Sequence, residues 1–443
     1  MKMEETSTGA TERPGVKEEQ HYRRRTAWLI WLAAVTFYCY EFFVRVAPGS
    51  MFREMQRNYG VTAGLFCLAS GVYYYIYAPI QIIAGALFDR FGGRRVLLPA
   101  SLCVALGCAC VLLPLPSLGL FALGRLLMGL GSGFGFIGVM YLATVWFPRS
   151  KLSLISGLTT SLGFLGAILT LQHIPRLVER IGWHSCWLGA GVFGLLLTGL
   201  LGIALPRSPH PKTEQPEAPF RKEGESKEGG SFLTGLWQVL KNPQTWVIGG
   251  IAGALYATPT VFGDLWGNAY FRSVTQASNE SAGQSVAMLY LGWFLGAPFF
   301  GWLSDRTRRK KIFLQLATLL CGLLLCLFLY GNTSLNTLRV LLLLIGFFGT
   351  PQVACFTASI ESNSNHASGS AVAVVNMILM LLGGLTQPLV GWLVDILSSG
   401  IGPPTGMAGA RELRLALGLL PLLSFLGFLL CFFYDEKSGE RHP

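Results

Sequence analysis

Apolar stretches of about 20 residues recur along the chain with short polar breaks between them. That is the length a helix needs to cross a bilayer. The stretches fall near 27–47, 64–84, 96–114, 118–142, 153–173, 184–205, 245–270, 283–303, 312–331, 336–359, 367–390 and 411–433. Twelve such spans predict an all-α membrane protein, because a helix satisfies its own backbone polar groups inside lipid. Pro79, Pro259, Pro298, Pro351 and Pro388 fall within spans and predict kinks.

The polar breaks have an order of their own. Gly85-Ala-Leu-Phe-Asp89-Arg90-Phe-Gly-Gly-Arg94-Arg95 is echoed half a chain later by Gly301-Trp-Leu-Ser-Asp305-Arg306-Thr-Arg-Arg-Lys-Lys311. A charge-dense turn repeated at half-length predicts two pseudo-symmetric six-helix bundles, 27–205 and 245–433. Residues 206–244 between them begin rich in Pro, Glu, Lys and Gly, the composition of a linker. Phe232, Leu233, Leu236, Trp237 and Leu240 then fall at helical spacing and predict a short amphipathic helix on the membrane surface. Residues 1–26 hold too little apolar surface to fold and read as a disordered tail; 434–443 form a short second tail.

Composition agrees with this pattern, at 52% hydrophobic and only 13% charged residues. The formal net charge of +11 would suit nucleic acid, yet the cations gather in alternate breaks. Arg90, Arg94, Arg95, Arg149, Lys151, Arg306, Lys310 and Lys311 mark loops kept in the cytoplasm, so both termini are expected there and no nucleic-acid partner is expected. The ten Cys sit mostly within apolar runs and lack metal-ligand spacing. No Gly-x-x-x-x-Gly-Lys loop, catalytic triad or metal cluster is visible, so neither an enzyme nor a cofactor is expected. Asn279-Glu-Ser281 has the form of a glycan acceptor on the outer face.

Across essentially its whole length the chain resembles the major facilitator superfamily. That family's loop after helix 2 reads Gly-x-Leu-x-Asp-Arg-x-Gly-Arg-Arg, matched by Gly85, Leu87, Asp89, Arg90, Gly92 or Gly93, Arg94 and Arg95. Arg125-Leu-Leu-Met-Gly129-Leu-Gly131 is similar to the family's Arg-x-x-x-Gly-x-Gly in helix 4, with Arg339, Gly346 and Gly349 as a partial counterpart in helix 10. Tyr38 to Met51 resembles the opening helix of a bacterial branch that includes intraphagosomal amino-acid transporters and relatives of lysosomal dipeptide carriers. A bacterial inner membrane is expected on that ground. Gly157 to Leu171 lacks the Gly-Pro pair that many drug exporters carry in helix 5.

The resemblance implies alternating access, with helices 1, 4, 7 and 10 around a central cavity. It also implies a cytoplasmic gate at Gly85, Asp89, Arg90, Arg94, Gly301, Asp305 and Arg306. Ionisable residues inside spans are costly and need a partner or a wet cavity. Glu41 and Arg45, four apart and so on one helix face with Tyr38, are such residues, as are Arg125, Asp264 and Arg339. Asn268 and Asn376 add neutral polar contacts. Arg45 or Arg125 suits a carboxylate through paired hydrogen bonds, and Glu41 suits an ammonium group or a proton. The expectation is a secondary active transporter taking up a small polar solute (amino acid, dipeptide or organic acid) with protons. An exporter of amphipathic compounds or siderophores, or a transport-dead nutrient sensor, is the alternative.

Overall fold

The computed structural model describes residues 14–113, 117–148, 151–206, 232–307, 309–364, 367–398 and 409–436. Regular structure among them is helical throughout. The first half holds α1 (Pro14–Ser50), α2 (Phe52–Tyr59), α3 (Ala63–Val111), α4 (Leu118–Ser132), α5 (Gly135–Trp146) and α6 (Leu152–Ala204). The second half opens with α7 (Phe232–Lys241), α8 (Pro243–Ala257), a π-helix over Thr258–Trp266, α9 (Gly267–Val274) and α10 (Asn279–Thr307). It continues with α11 (Lys310–Tyr330), α12 (Leu335–Gly349), a 3-10 turn over Thr350–Val353, α13 (Ala354–Glu361), α14 (Ser368–Ser398), α15 (Ala410–Ala416) and α16 (Leu419–Phe433).

Nine helical stretches among the described residues are long and apolar enough to cross a membrane. Two of them, α3 and α6, are each two arms, broken at Gly92 (φ 77°) and Gly182 (φ 79°). Those left-handed conformations suit glycine and are strained for other residues. With those breaks, and with the 29-residue α10, the helical arms match the spans read from the sequence. Local chemistry fixes several boundaries. Gly60 (φ 63°) ends α2, and the Thr62 side chain accepts the Leu65 amide to start α3. Asn242 caps α8, with Pro243 in its first turn.

Three sequence expectations change. Residues 14–26, expected in a disordered tail, continue α1 outward, while 1–13, 207–231 and 437–443 lie outside the described residues. The short helix α7 forms, but Val239 is buried against Ala367 and against Ala371 and Val374 of α14, and Trp237 is left exposed. The helix is therefore clipped to the second half as well as facing the surface. Asn279, read as a glycan acceptor, is buried, and its amide donates to the carbonyls of Ser50 (3.4 Å) and Pro175 (3.2 Å).

Asn279 also fixes which ends lie together. It begins α10 and touches Ser50, two residues before α2 and close in sequence to the start of α3. From that shared end α10 and the first arm of α3 both run about 29 residues, roughly 40 Å, away. The Gly85 and Gly301 turns therefore lie at the same end of the molecule, termed here the basic end.

The halves meet through the first arms of α3 and α6 against α14 and α10. At the end away from the basic turns these helices touch almost backbone to backbone. Gly391 lies against the backbone of Ala63 and Gly64, and Gly283 against Leu171 and Pro175. Asp395 accepts the amides of Ala63 (3.0 Å) and Gly64 (2.8 Å) across this seam. Arg53 bonds Ser273 at 2.8 Å, Arg272 pairs with Glu54 at 3.2 Å, and Arg176 pairs with Glu280. Burial and the neighbouring Arg272 push the Arg53 guanidinium down to about 10, still charged at neutral pH. At the basic end the glycines of the same helices, Gly85, Gly157, Gly301 and Gly369, each face open space among the described residues. The halves are thus pinched together at the end away from the basic turns.

Candidate functional site

Between the pinched seam and the basic end lies a cluster of buried charges. Glu41 (0% exposed) and Arg45 (3%) form an ion pair one turn apart on α1. The Arg45 guanidinium also lies over the rings of Phe42 (4.7 Å) and Tyr77 (4.9 Å). The second carboxylate oxygen of Glu41 has no partner among the described residues. It sits against Gly135 at the first turn of α5, where α4 and α5 break.

Arg125 of α4 is 1% exposed and spends its donors on backbone. Its Nη1 donates to the Val44 carbonyl at 2.6 Å and its Nε to the Ser70 carbonyl at 3.1 Å. Val44 precedes Pro48 by four residues inside α1, and Pro48 has no N–H to offer it. Arg125 takes up a carbonyl that the helix itself cannot satisfy, and its guanidinium stacks over Tyr73 at 4.6 Å. The glycines that follow it let α4 wedge into α3: Gly129 lies against the Tyr73 carbonyl and Gly131 against that of Ala100.

Asp264 comes from the second half, on the π-helix. Pro259 inside that turn lacks an N–H, which breaks the α-helical register where the wider turn begins. The Gln387 amide of α14 ties this segment down by donating to the Thr260 carbonyl at 2.7 Å. Asp264 is 3% exposed, and its two oxygens accept from the hydroxyls of Tyr74 on α3 and Tyr290 on α10. One tyrosine belongs to each half.

The other expected residues divide. Tyr38 is buried edge-on to Phe42 and beside Phe136. Asn268 is buried, with neither side-chain atom partnered among the described residues. Asn376 donates to Gln81 across the halves. Arg339 lies apart from the cluster, half-buried and held by the Ser285 and Ser281 hydroxyls, each at 3.0 Å. Glu41, Arg45, Arg125 and Asp264 come together; Arg339 does not join them.

In the expected gate, Gly85 and Gly301 face open space and Asp89 and Arg90 are exposed. Arg94 donates to the Leu205 carbonyl at 2.5 Å, tying the turn to the end of α6 in its own half. The side chains of Asp305 and Arg306 lie outside the described residues. Sequence reasoning does not single out Tyr74, Tyr290 or Gln81. Their signal is weak, a hydroxyl or amide within an otherwise apolar span.

A family model described as Major Facilitator Superfamily matches residues 30–388 and 267–443. The chain belongs to the Major Facilitator Superfamily. It is similar to probable anion transporter 7 of Oryza sativa subsp. japonica, at 26% identity over 58% of each chain. Over 92% of each chain it is 26% identical to the membrane sensor protein UhpC of Salmonella typhimurium. The probable sulfoacetate transporter SauU of Cupriavidus necator is 24% identical over 88% of this chain and 91% of its own. The fold is similar to that of a bacterial homologue of the human lysosomal transporter Spinster (TM-score 0.75, 15% identity, 94% and 98% covered). Membership makes this superfamily protein a multi-pass membrane protein of a transport family.

Proposed function

We propose that this protein is a secondary transporter that takes up a small anionic solute with a proton, its two halves rocking around the buried charge cluster. One observation carries the reading. Two guanidiniums, Arg45 and Arg125, and two carboxylates, Glu41 and Asp264, are buried together among neutral tyrosines. Their formal charges cancel. A monoanion entering this low-dielectric centre adds a negative charge, and uncompensated charge there is costly. One proton taken by a carboxylate restores the balance.

Arg45 supplies the cation for a carboxylate or sulfonate, since its Nε has no partner among the described residues. Glu41 and the unpartnered amide of Asn268 offer further polar contacts to an organic acid or amino acid. The similarity to proteins named for anion and sulfoacetate transport supports an anionic substrate. The basic end faces the cytoplasm on the positive-inside argument, so the pinched seam closes the outer side. Asp89 and its neighbouring cations then act as the inner latch of alternating access, drawing the basic end together in the opposite state.

The test is uptake by reconstituted protein of a panel of organic acids, sulfonates, amino acids and dipeptides, with and without an inward proton gradient. Gradient-stimulated uptake of at least one anion is expected, and no uptake of any panel member under either condition would overturn the reading. A second reading, a solute sensor on the same scaffold, draws on the likeness to UhpC over 92% of each chain. It predicts saturable binding without net uptake.

A further inference from the structure

We propose that the anion this protein takes carries an aromatic ring, and that a collar of five side chains from both halves holds that ring while Arg45 holds the acid group. This inference rests on the anion reading above and names the substrate class, a single-ring arene carboxylate or sulfonate.

The collar is built contact by contact. Tyr38 meets Phe42 edge-on with ring centroids 5.2 Å apart, and Phe42 meets Phe164 of α6 at 5.8 Å. Phe164 then crosses to the second half, where the Trp293 ring of α10 lies 5.7 Å away. Trp293 meets Tyr256 of α8 at 5.3 Å, and Tyr256 lies beside Arg45. The chain of rings therefore begins on α1 and returns to it. Gly163 leaves no room for a methyl group against Tyr38 and Phe42, so these two rings are fixed in place before any ligand arrives.

Two features set the collar apart from ordinary core. At the outer seam the halves approach through Gly64, Gly283 and Gly391, whereas beside the charges they face each other with rings. Polar atoms next to these rings also lack partners among the described residues: Arg45 Nε, the second Glu41 oxygen and the Tyr73 hydroxyl, all in buried residues. A buried donor left bare is costly, and an acid group can accept from both Arg45 and Tyr73. Tyr256 is only half-buried although it sits beside that cation, so the collar keeps an open side there.

The walls select the ligand. Rings of Phe42 and Tyr77 cover the Arg45 guanidinium, so an anion must shed its water to reach it. A small, strongly hydrated anion such as acetate gains little in return. An arene carboxylate offsets that cost by burying its ring. Edge-to-face and offset contacts with Phe164, Trp293 and Tyr256 add attraction that a saturated ring of the same size does not gain. An ammonium group is also drawn to ring faces, but here it would lie beside a guanidinium that repels it.

The test measures binding without any gradient. Purified full-length protein is titrated by calorimetry with phenylacetate, cyclohexylacetate, acetate and phenethylammonium. Phenylacetate should bind at least about threefold tighter than cyclohexylacetate and about a hundredfold tighter than acetate. Trp293→Leu and Phe164→Leu are made in parallel, so that one remains should the other fail to fold. In variant protein that elutes as a single species, the phenylacetate-to-cyclohexylacetate preference should fall to about one. Equal binding of those two acids by the wild type, tighter binding of acetate or phenethylammonium, a preference unchanged in the variants, or binding of none of the four would overturn the assignment. Arene binding without gradient-driven uptake of any anion would overturn the transport reading and leave this one standing. Uptake of aliphatic anions alone would do the reverse.

Discussion

Asp395 and Gly64 belong to opposite halves of the molecule, and the carboxylate of the first accepts the backbone amide of the second at 2.8 Å. A charge-assisted bond onto the first turn of a helix also meets the positive end of its dipole. With Ala63 bonded to the other oxygen, Asp395 is a clasp on the outer seam. Asp395→Ala should loosen it. Cys67, fully buried just inside the seam, is the native reporter. Its labelling by a membrane-impermeant maleimide, read by peptide mass spectrometry, should rise by about tenfold in the variant. An unchanged rate would mean that glycine packing alone holds the seam.

Gly135 leaves room for the unpartnered oxygen of Glu41, and a methyl group there would run into the carboxylate. Gly135→Ala should force the Glu41–Arg45 pair to shift. Uptake should fall by at least about tenfold while the protein still inserts and runs as a single species, a cost of the order seen for overpacked sites. Restoration by the shorter side chain in Gly135→Ala/Glu41→Asp would confirm the steric cause.

Arg125 reaches two backbone carbonyls at once through its planar fork. Lysine carries the same charge but cannot span both directions. Arg125→Lys should therefore lower the melting temperature as well as uptake, because one buried carbonyl is left bare, at about 1–3 kcal/mol. A variant with normal stability and lost uptake would assign Arg125 to the solute alone.

Arg339 occupies the position in α12 that the repeat matches to Arg125, yet among the described residues it is held by serine hydroxyls of α10. Arg339→Ala should cost stability and leave uptake within about twofold of wild type, as expected for a substitution away from the site. Asp89→Asn is the opposite case. At an exposed turn it should cost little stability, yet it should abolish uptake through loss of the inner latch, measured as transport per inserted molecule.

The fold was open to sequence reasoning because bilayer physics leaves few choices. Spans of about 20 apolar residues must be helices, and the repeated Gly-x-Leu-x-Asp-Arg turn exposed the halves. Glu41, Arg45, Arg125 and Asp264 were legible for the same reason, since a charge in lipid demands an explanation. What stayed hidden depends on pairing between distant segments. Nothing near Asp264 in the chain points to Tyr74, because the two come from opposite halves, 190 residues apart. Arg339 misled because an internal repeat preserves sequence position better than surroundings. The π-helix around Pro259 changes register without any change in hydrophobic pattern, so periodicity could not show it.

The most direct test of the central claim separates the two driving forces on uptake. A site with balanced formal charges that binds one monoanion with one proton moves no net charge. Uptake of a labelled monoanion into proteoliposomes should rise with an inward proton gradient and should not respond to a membrane potential imposed by potassium and valinomycin. Uptake driven by the potential at equal pH, or indifferent to the proton gradient, would contradict the account.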